Sequence, residues 1–151
     1  MTGPEPMPTT ATATAPTAGK AAPMGGTMAR GRMRECIDNC RDCETICEET
    51  ISHCLNKGGA HAQPDFVLLL ADCAVICRTS ARFMIHGSLH HVHTCGACAK
   101  VCDACADDCE SLMGATGGGR EDDIMRKCAD MCRTCAKSCA KMAATAGGGS
   151  A

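Results

Sequence analysis

Residues 36–47 read CIDNCRDCETIC, with cysteine at 36, 40, 43 and 47. Alternating steps of four and three residues keep one face of an α-helix constant, because each residue turns the chain by ~100°. On that count Cys36, Cys40, Cys43, Cys47 and Cys54 fall within an arc of roughly 60°. Arg41, Glu44 and Glu48 lie on the opposite side. An amphipathic helix of a bundle carries Leu or Ile along such a stripe. Here the stripe is sulfur.

The same rhythm returns further on, at Cys73 and Cys77, at Cys95, Cys98, Cys102, Cys105 and Cys109, and at Cys128, Cys132, Cys135 and Cys139. Glycines separate these segments: Gly58-Gly59, Gly87, Gly114 with Gly117 to Gly119, and Gly147 to Gly149. Gly58 reads as a helix stop, Pro64 with Asp65 as a helix start, Ser88 as a cap, Gly114 as a second stop and Glu121-Asp122-Asp123 as an acidic first turn. The expected helices cover about residues 30–57, 64–86, 89–113 and 121–144. Short connections make sequential helices antiparallel. The fold class is therefore all-α: an antiparallel up-down-up-down four-helix bundle over residues 30–144, with a cysteine-lined core.

Composition agrees with an unusual interior. Among 151 residues there are 16 cysteines, no Trp, no Tyr, and only Phe66 and Phe83 as aromatics. Residues 1–29 are rich in Thr, Ala, Pro and Gly, which offer little to bury, and are expected to form a disordered low-complexity tail. Residues 145–151 are expected to be a flexible C-terminus. A net charge of −2, from 15 basic and 17 acidic side chains, provides no polycationic face, so nucleic acid is not an expected partner. No run approaches the roughly 18 apolar residues of a membrane span. No secretory signal or twin-arginine pair is evident, which makes the cytoplasm the expected compartment, and thiols stay reduced there.

What could aligned thiols do? As plain small hydrophobes they would leave a narrow core of reactive groups facing each other. Disulfides along one helix are disfavoured, since Cβ atoms at i and i+4 stand about 5–6 Å apart and a disulfide needs about 3.8 Å. Metal suits them better. Seven CxxxC pairs (36/40, 43/47, 73/77, 98/102, 105/109, 128/132 and 135/139) leave only Cys54 and Cys95 outside. With metal–sulfur bonds near 2.3 Å, an ion between two thiolates spans about 4.6 Å, which an i, i+4 pair can offer. Soft thiolates select Cu(I), zinc or iron–sulfur clusters. Zinc prefers CxxC knuckles on turns and leaves −2 at each four-thiolate site, a poor state for a dry core. The ferredoxin cysteine run is absent. One Cu(I) per thiolate leaves an array near neutrality, so several Cu(I) ions per chain are the expected cargo. The alternatives are a zinc-stabilised interaction module and a thiol redox protein. Catalysis finds no support in any Ser-His-Asp or paired-carboxylate pattern, and no enzyme is expected.

The helix directions gather Met28, Met33, Met84, Met142, His86, His90, His91 and His93 at one end of the bundle. Thioether and imidazole are neutral, exchangeable copper ligands, so His86, His90, His91, His93, Met33, Met84 and Met142 are candidate ligands of a copper mouth. The other end collects Phe66, Val67, Leu68, Leu69, Leu70, Leu112, Met113, Ile124 and Met125, which reads as a hydrophobic plug. His53 and His61 are expected on the surface near it.

The repeats CIDNC, CETIC, CAVIC, CAKVC, CADDC, CADMC and CAKSC resemble those of the bacterial cysteine-rich four-helix-bundle copper storage proteins, over about residues 30–144. The resemblance implies a tube that stores many Cu(I) ions on inward-facing cysteines: Cys36, Cys40, Cys43, Cys47, Cys54, Cys73, Cys77, Cys95, Cys98, Cys102, Cys105, Cys109, Cys128, Cys132, Cys135 and Cys139. It also implies a homotetramer, copper uptake near His or Met residues at one end, and exchange with copper donor or acceptor proteins. Lacking a twin-arginine signal, the chain looks like the cytosolic type. The second segment departs from the dense pattern, with Ser80, like Thr50 in the first, standing where the stripe would continue.

Overall fold

The computed structural model describes residues 26–117 and 122–145. Four helices follow one another: α1 (Gly26–Lys57), α2 (Pro64–Ile85), α3 (His91–Thr116) and α4 (Asp123–Ala144), with a 3-10 turn at Gly59–Ala62 between the first two. α1 packs on α2 and α4, and α3 packs on α4 and α2, so the four close into a ring around one core. Of the expected tail, residues 1–29, the last four belong to α1, and residues 1–25 lie outside the described residues, as do Glu121 and residues 146–151.

Local chemistry explains the breaks. Gly58 takes φ 74° at the end of α1, a left-handed conformation that costs glycine nothing, and its N–H donates to the Cys54 carbonyl at 3.0 Å. α2 opens on Pro64, whose missing N–H would be unpaired there in any case. It ends in a Schellman motif: Gly87 N–H donates to Met84 O and Ser88 N–H to Phe83 O, both at 3.0 Å, with Gly87 at φ 66°. Two expectations change here. Ser88 does not cap α3 directly; its Oγ accepts from the His90 N–H at 3.2 Å, and the helix starts after His90. Gly114 does not stop α3, because a lone glycine is tolerated inside a helix. The helix continues to Thr116 and ends at Gly117, where φ is 84°.

The core is built from sulfur and small side chains. Every cysteine has no exposed surface. Five of the seven CxxxC pairs place alanine directly after their first cysteine, and Ala74, Ala99, Ala106, Ala129 and Ala136 are all buried. Methyl groups beside the thiols allow neighbouring helices to approach closely enough for sulfur to meet sulfur. At the outer surface, Arg133 ties α4 to α3 through Asp103 at 3.1 Å, Glu110 at 3.0 Å and Asp107, while Arg78 of α2 reaches Glu44 of α1.

The far end of the bundle, away from the histidine-rich loop, is closed by Phe66, Leu70 and Met125, with Leu69, Leu112, Met113 and Ile124 partly buried around them. Leu68 is a correction: it is 60% exposed, because it sits about 200° around α2 from Phe66 while Leu70 follows Phe66 by one turn. His61 is another. Expected on the surface, it is only 3% exposed, because the 3-10 turn folds it under the helices to meet Asp122, Nε2 to Oδ1 at 3.4 Å. Asp122 Oδ1 also accepts from Lys57 Nζ at 2.8 Å, and its Oδ2 accepts from Thr116 Oγ1 at 3.3 Å. Asp122 thus joins the ends of α1 and α3, the 3-10 turn and the start of α4, rather than capping α4 with its side chain.

Lys57 holds the Asp122 carboxyl below its ordinary range, against the opposing effect of burial, with His61 assisting. A carboxyl whose folded pKa lies below its unfolded value near 3.9 contributes its full stabilisation above that value and loses it as pH falls through the folded pKa. Asp122→Asn is therefore expected to destabilise the fold by about 1–3 kcal/mol near pH 7. The deficit should shrink as the wild-type chain is acidified below about pH 4. Denaturant unfolding of both chains across pH checks this.

Candidate metal centre

All sixteen thiols are free and buried, and most of them approach one another along the bundle core. Near the histidine-rich end, Cys139 Sγ lies 3.6 Å from Cys36 and 3.5 Å from Cys40. Cys77 then stands 3.6 Å from Cys98, 3.5 Å from Cys102 and 3.8 Å from Cys135. Further along, Cys43 is 3.7 Å from Cys132, and Cys47 is 3.9 Å from Cys132 and 4.0 Å from Cys128. The pairs anticipated along single helices are joined by a second set of contacts between helices. Cys98 and Cys102 meet at 3.7 Å on α3, but most of the close approaches cross from one helix to another.

Groups of four sulfurs lie within 4.8 Å of one another: Cys40/98/135/139, Cys77/98/102/135, Cys43/73/77/102, Cys43/47/73/132 and Cys47/105/128/132. Taken in that order, each group shares two members with the next. The first, third and fifth of these groups share no sulfur and could each hold an ion alone, whereas filling the groups between them as well requires thiolates that serve two neighbours. A thiolate that serves two neighbours is a bridging ligand, which suits monovalent soft ions in a continuous array. Charge leads to the same place, since a stack of buried thiolates without cations is strongly unfavourable.

Two cysteines stand outside the CxxxC pairs, and both meet a methionine. Cys54 Sγ donates to Met125 Sδ at 3.7 Å, and Cys95 Sγ to Met84 Sδ at 3.8 Å. Burial, and then the neighbouring Cys128, push the Cys54 thiol up to about 11. Cys95 is pushed up to about 12: the contact with Cys139 lowers it, but Cys36 and burial outweigh that contact. A cation bound at either sulfur must displace a proton. Where the stripe lapses, Thr50 Oγ1 donates to the Ile46 carbonyl at 2.6 Å, and Ser80 Oγ is buried without a hydrogen-bond partner among the described residues.

The candidate mouth residues fall into two groups. Met84 and Met142 are buried beside the last thiols and Met33 is partly buried. His91 is 9% exposed; its Nδ1 lies 2.7 Å from the Ser88 carbonyl, which can only accept, so Nδ1 is the donor and Nε2 is the lone-pair nitrogen of the neutral imidazole. That Nε2 is buried with no hydrogen-bond partner among the described residues. His86, His90 and His93 are exposed, and the rings of His90 and His93 stack at 6.2 Å. Met28 is 74% exposed and not gathered with the others. Sequence reading distinguished none of these, because the turn of chain between α2 and α3 decides which imidazole faces inward.

The sequence pattern that defines the copper storage protein family matches residues 29–144. Several solved structures are similar. A protein of Nitrosospira multiformis is 41% identical, with a TM-score of 0.68, over 77% of this chain and 98% of that one. The apo form of copper storage protein 3 from Bacillus subtilis is 31% identical, with a TM-score of 0.59, over 72% and 95%. A Cu(I)-bound copper storage protein is 28% identical, with a TM-score of 0.62, over 74% and 98%. This chain belongs to the copper storage protein family.

Proposed function

We propose that the chain stores and buffers Cu(I), holding many ions along the thiol column on the sixteen cysteines named above. The observation that carries this reading is the overlap of successive groups of four sulfurs, which lets one thiolate bridge two monovalent ions along the column. The Cu(I)-bound relative supports it. Storage needs binding without chemistry, and neutral ion–thiolate units need no compensating charge from the protein.

In this reading copper arrives at the end marked by His91, Met84 and Met142. The inward Nε2 of His91 and the buried thioethers of Met84 and Met142 pass an ion to Cys95, Cys36 and Cys139. Met33 lines the approach, while His86, His90 and His93 collect copper at the surface. The exposed apolar side chains of Leu68 and Val75 on α2 and Leu55 on α1 suit a contact between copies, in keeping with a homotetramer. Reduced thiols suit the cytoplasm, where donor or acceptor proteins would exchange copper with the mouth.

Titration of the reduced chain with Cu(I) against a competing chelator is expected to saturate at roughly a dozen or more ions per chain. Saturation at one or two, or a preference for zinc in tetrahedral thiolate sites, would contradict the storage reading. His91→Ala is expected to slow copper uptake several-fold in stopped-flow mixing while leaving the final copper count unchanged. Equal loss of rate and capacity would place His91 among the storage ligands instead.

A further inference from the structure

We infer that the far end of the column carries a Cu(I) site of its own, formed by the thiolate of Cys54 and the thioether of Met125. The inference rests on the storage reading and reassigns Met125 from hydrophobic filling to metal ligand.

Cys54 has no cysteine one turn away on its own helix. Gly58 follows at i+4, and Thr50 precedes at i−4 with its hydroxyl committed to the Ile46 carbonyl. A second soft donor must therefore come from another helix, and α4 supplies it: Met125 is fully buried with its Sδ 3.7 Å from Cys54 Sγ. Packing alone does not call for sulfur here, since Leu70 serves as filling in the same end of the bundle. The arrangement also recurs. Cys95, the other cysteine outside a CxxxC pair, meets buried Met84 at 3.8 Å at the opposite end of the column.

Geometry and charge fit a copper ion. With bonds near 2.3 Å, two sulfurs of a trigonal site stand about 4.0 Å apart and those of a linear site about 4.6 Å apart. The observed 3.7 Å needs an opening of a few tenths of an ångström for the first. On binding, the Cys54 S–H bond breaks, a sulfur–copper bond forms, and the proton leaves to solvent. Met125 donates a lone pair and no electron is transferred. One thiolate, one monovalent ion and one neutral thioether sum to zero charge, which is the state a buried site requires. The Lys57–Asp122–His61 cluster ties together the chain segments at this end. The site therefore fills along the column rather than from outside.

The test uses the reduced full-length chain carrying 13C-labelled methionine methyl groups, loaded with Cu(I) alone. The Met125 resonance, assigned by its loss in Met125→Leu, is expected to move on loading in the wild-type chain and to stay in place in Cys54→Ala. Both variants are expected to bind about one ion fewer than wild type. A Met125 signal that is unmoved in the loaded wild-type chain, or that moves equally in Cys54→Ala, would overturn the site while leaving the storage reading intact. A Met125→Leu chain that binds as much copper as wild type would do the same. Should Met125→Leu fail to fold, the comparison of the wild-type and Cys54→Ala spectra decides alone. A chain that takes up no copper fails the storage reading and this site with it.

Discussion

Sulfur atoms 3.5–4.0 Å apart in a dry interior can be thiols, or they can be metal thiolates, but they cannot be bare anions. Much else in the molecule follows from that constraint. Thiols are smaller than the side chains that usually fill a bundle, so the helices must come close, and alanine beside the cysteines allows it. Ordinary hydrophobic packing is left mainly to the far end, where Phe66 and Leu70 sit. Ion pairs stay out of the thiol column, with Arg133 and its three acidic partners on the outer surface and the buried Asp122 cluster at one end of the bundle. The interior is therefore a place that a monovalent soft cation completes, by replacing protons without leaving net charge behind.

The two ends differ in how they are finished. At one, His91 buries an Nε2 with no hydrogen-bond partner among the described residues while its Nδ1 donates to the Ser88 carbonyl, and buried Met84 meets the Cys95 thiol. At the other, a buried carboxylate gathers a lysine, a histidine and a threonine and ties four chain segments together. The two ends of the tube are thus chemically unlike, and the proposed entry of copper at the histidine-rich end draws on that difference.

The helices and the inward direction of their cysteines were legible because both depend on angle alone, and a 3.6-residue period converts spacing into angle without further information. Which thiols face each other across the bundle was not legible, since that depends on the axial offset between helices, which no local pattern records. The burial of His61 depends on a short 3-10 turn folding under the helices, and the reach of α3 past Gly114 on the tolerance of a helix for one glycine. Leu68 belongs to an apolar run, yet its rotation of about 200° from Phe66 turns it outward. One available signal went unused: alanine after the first cysteine in five of seven pairs marks where helices approach most closely. The inward His91 could not be separated from His86, His90 and His93, because a loop conformation selects it.

The most direct test of the central claim is diffraction from crystals of the Cu(I)-loaded chain, recorded on both sides of the copper absorption edge. Anomalous peaks are expected in a continuous row along the bundle axis, each between sulfurs of different helices and sharing a sulfur with the next. Peaks confined to isolated four-sulfur sites with no shared ligand, or lying on the outer surface of the helices, would contradict the account.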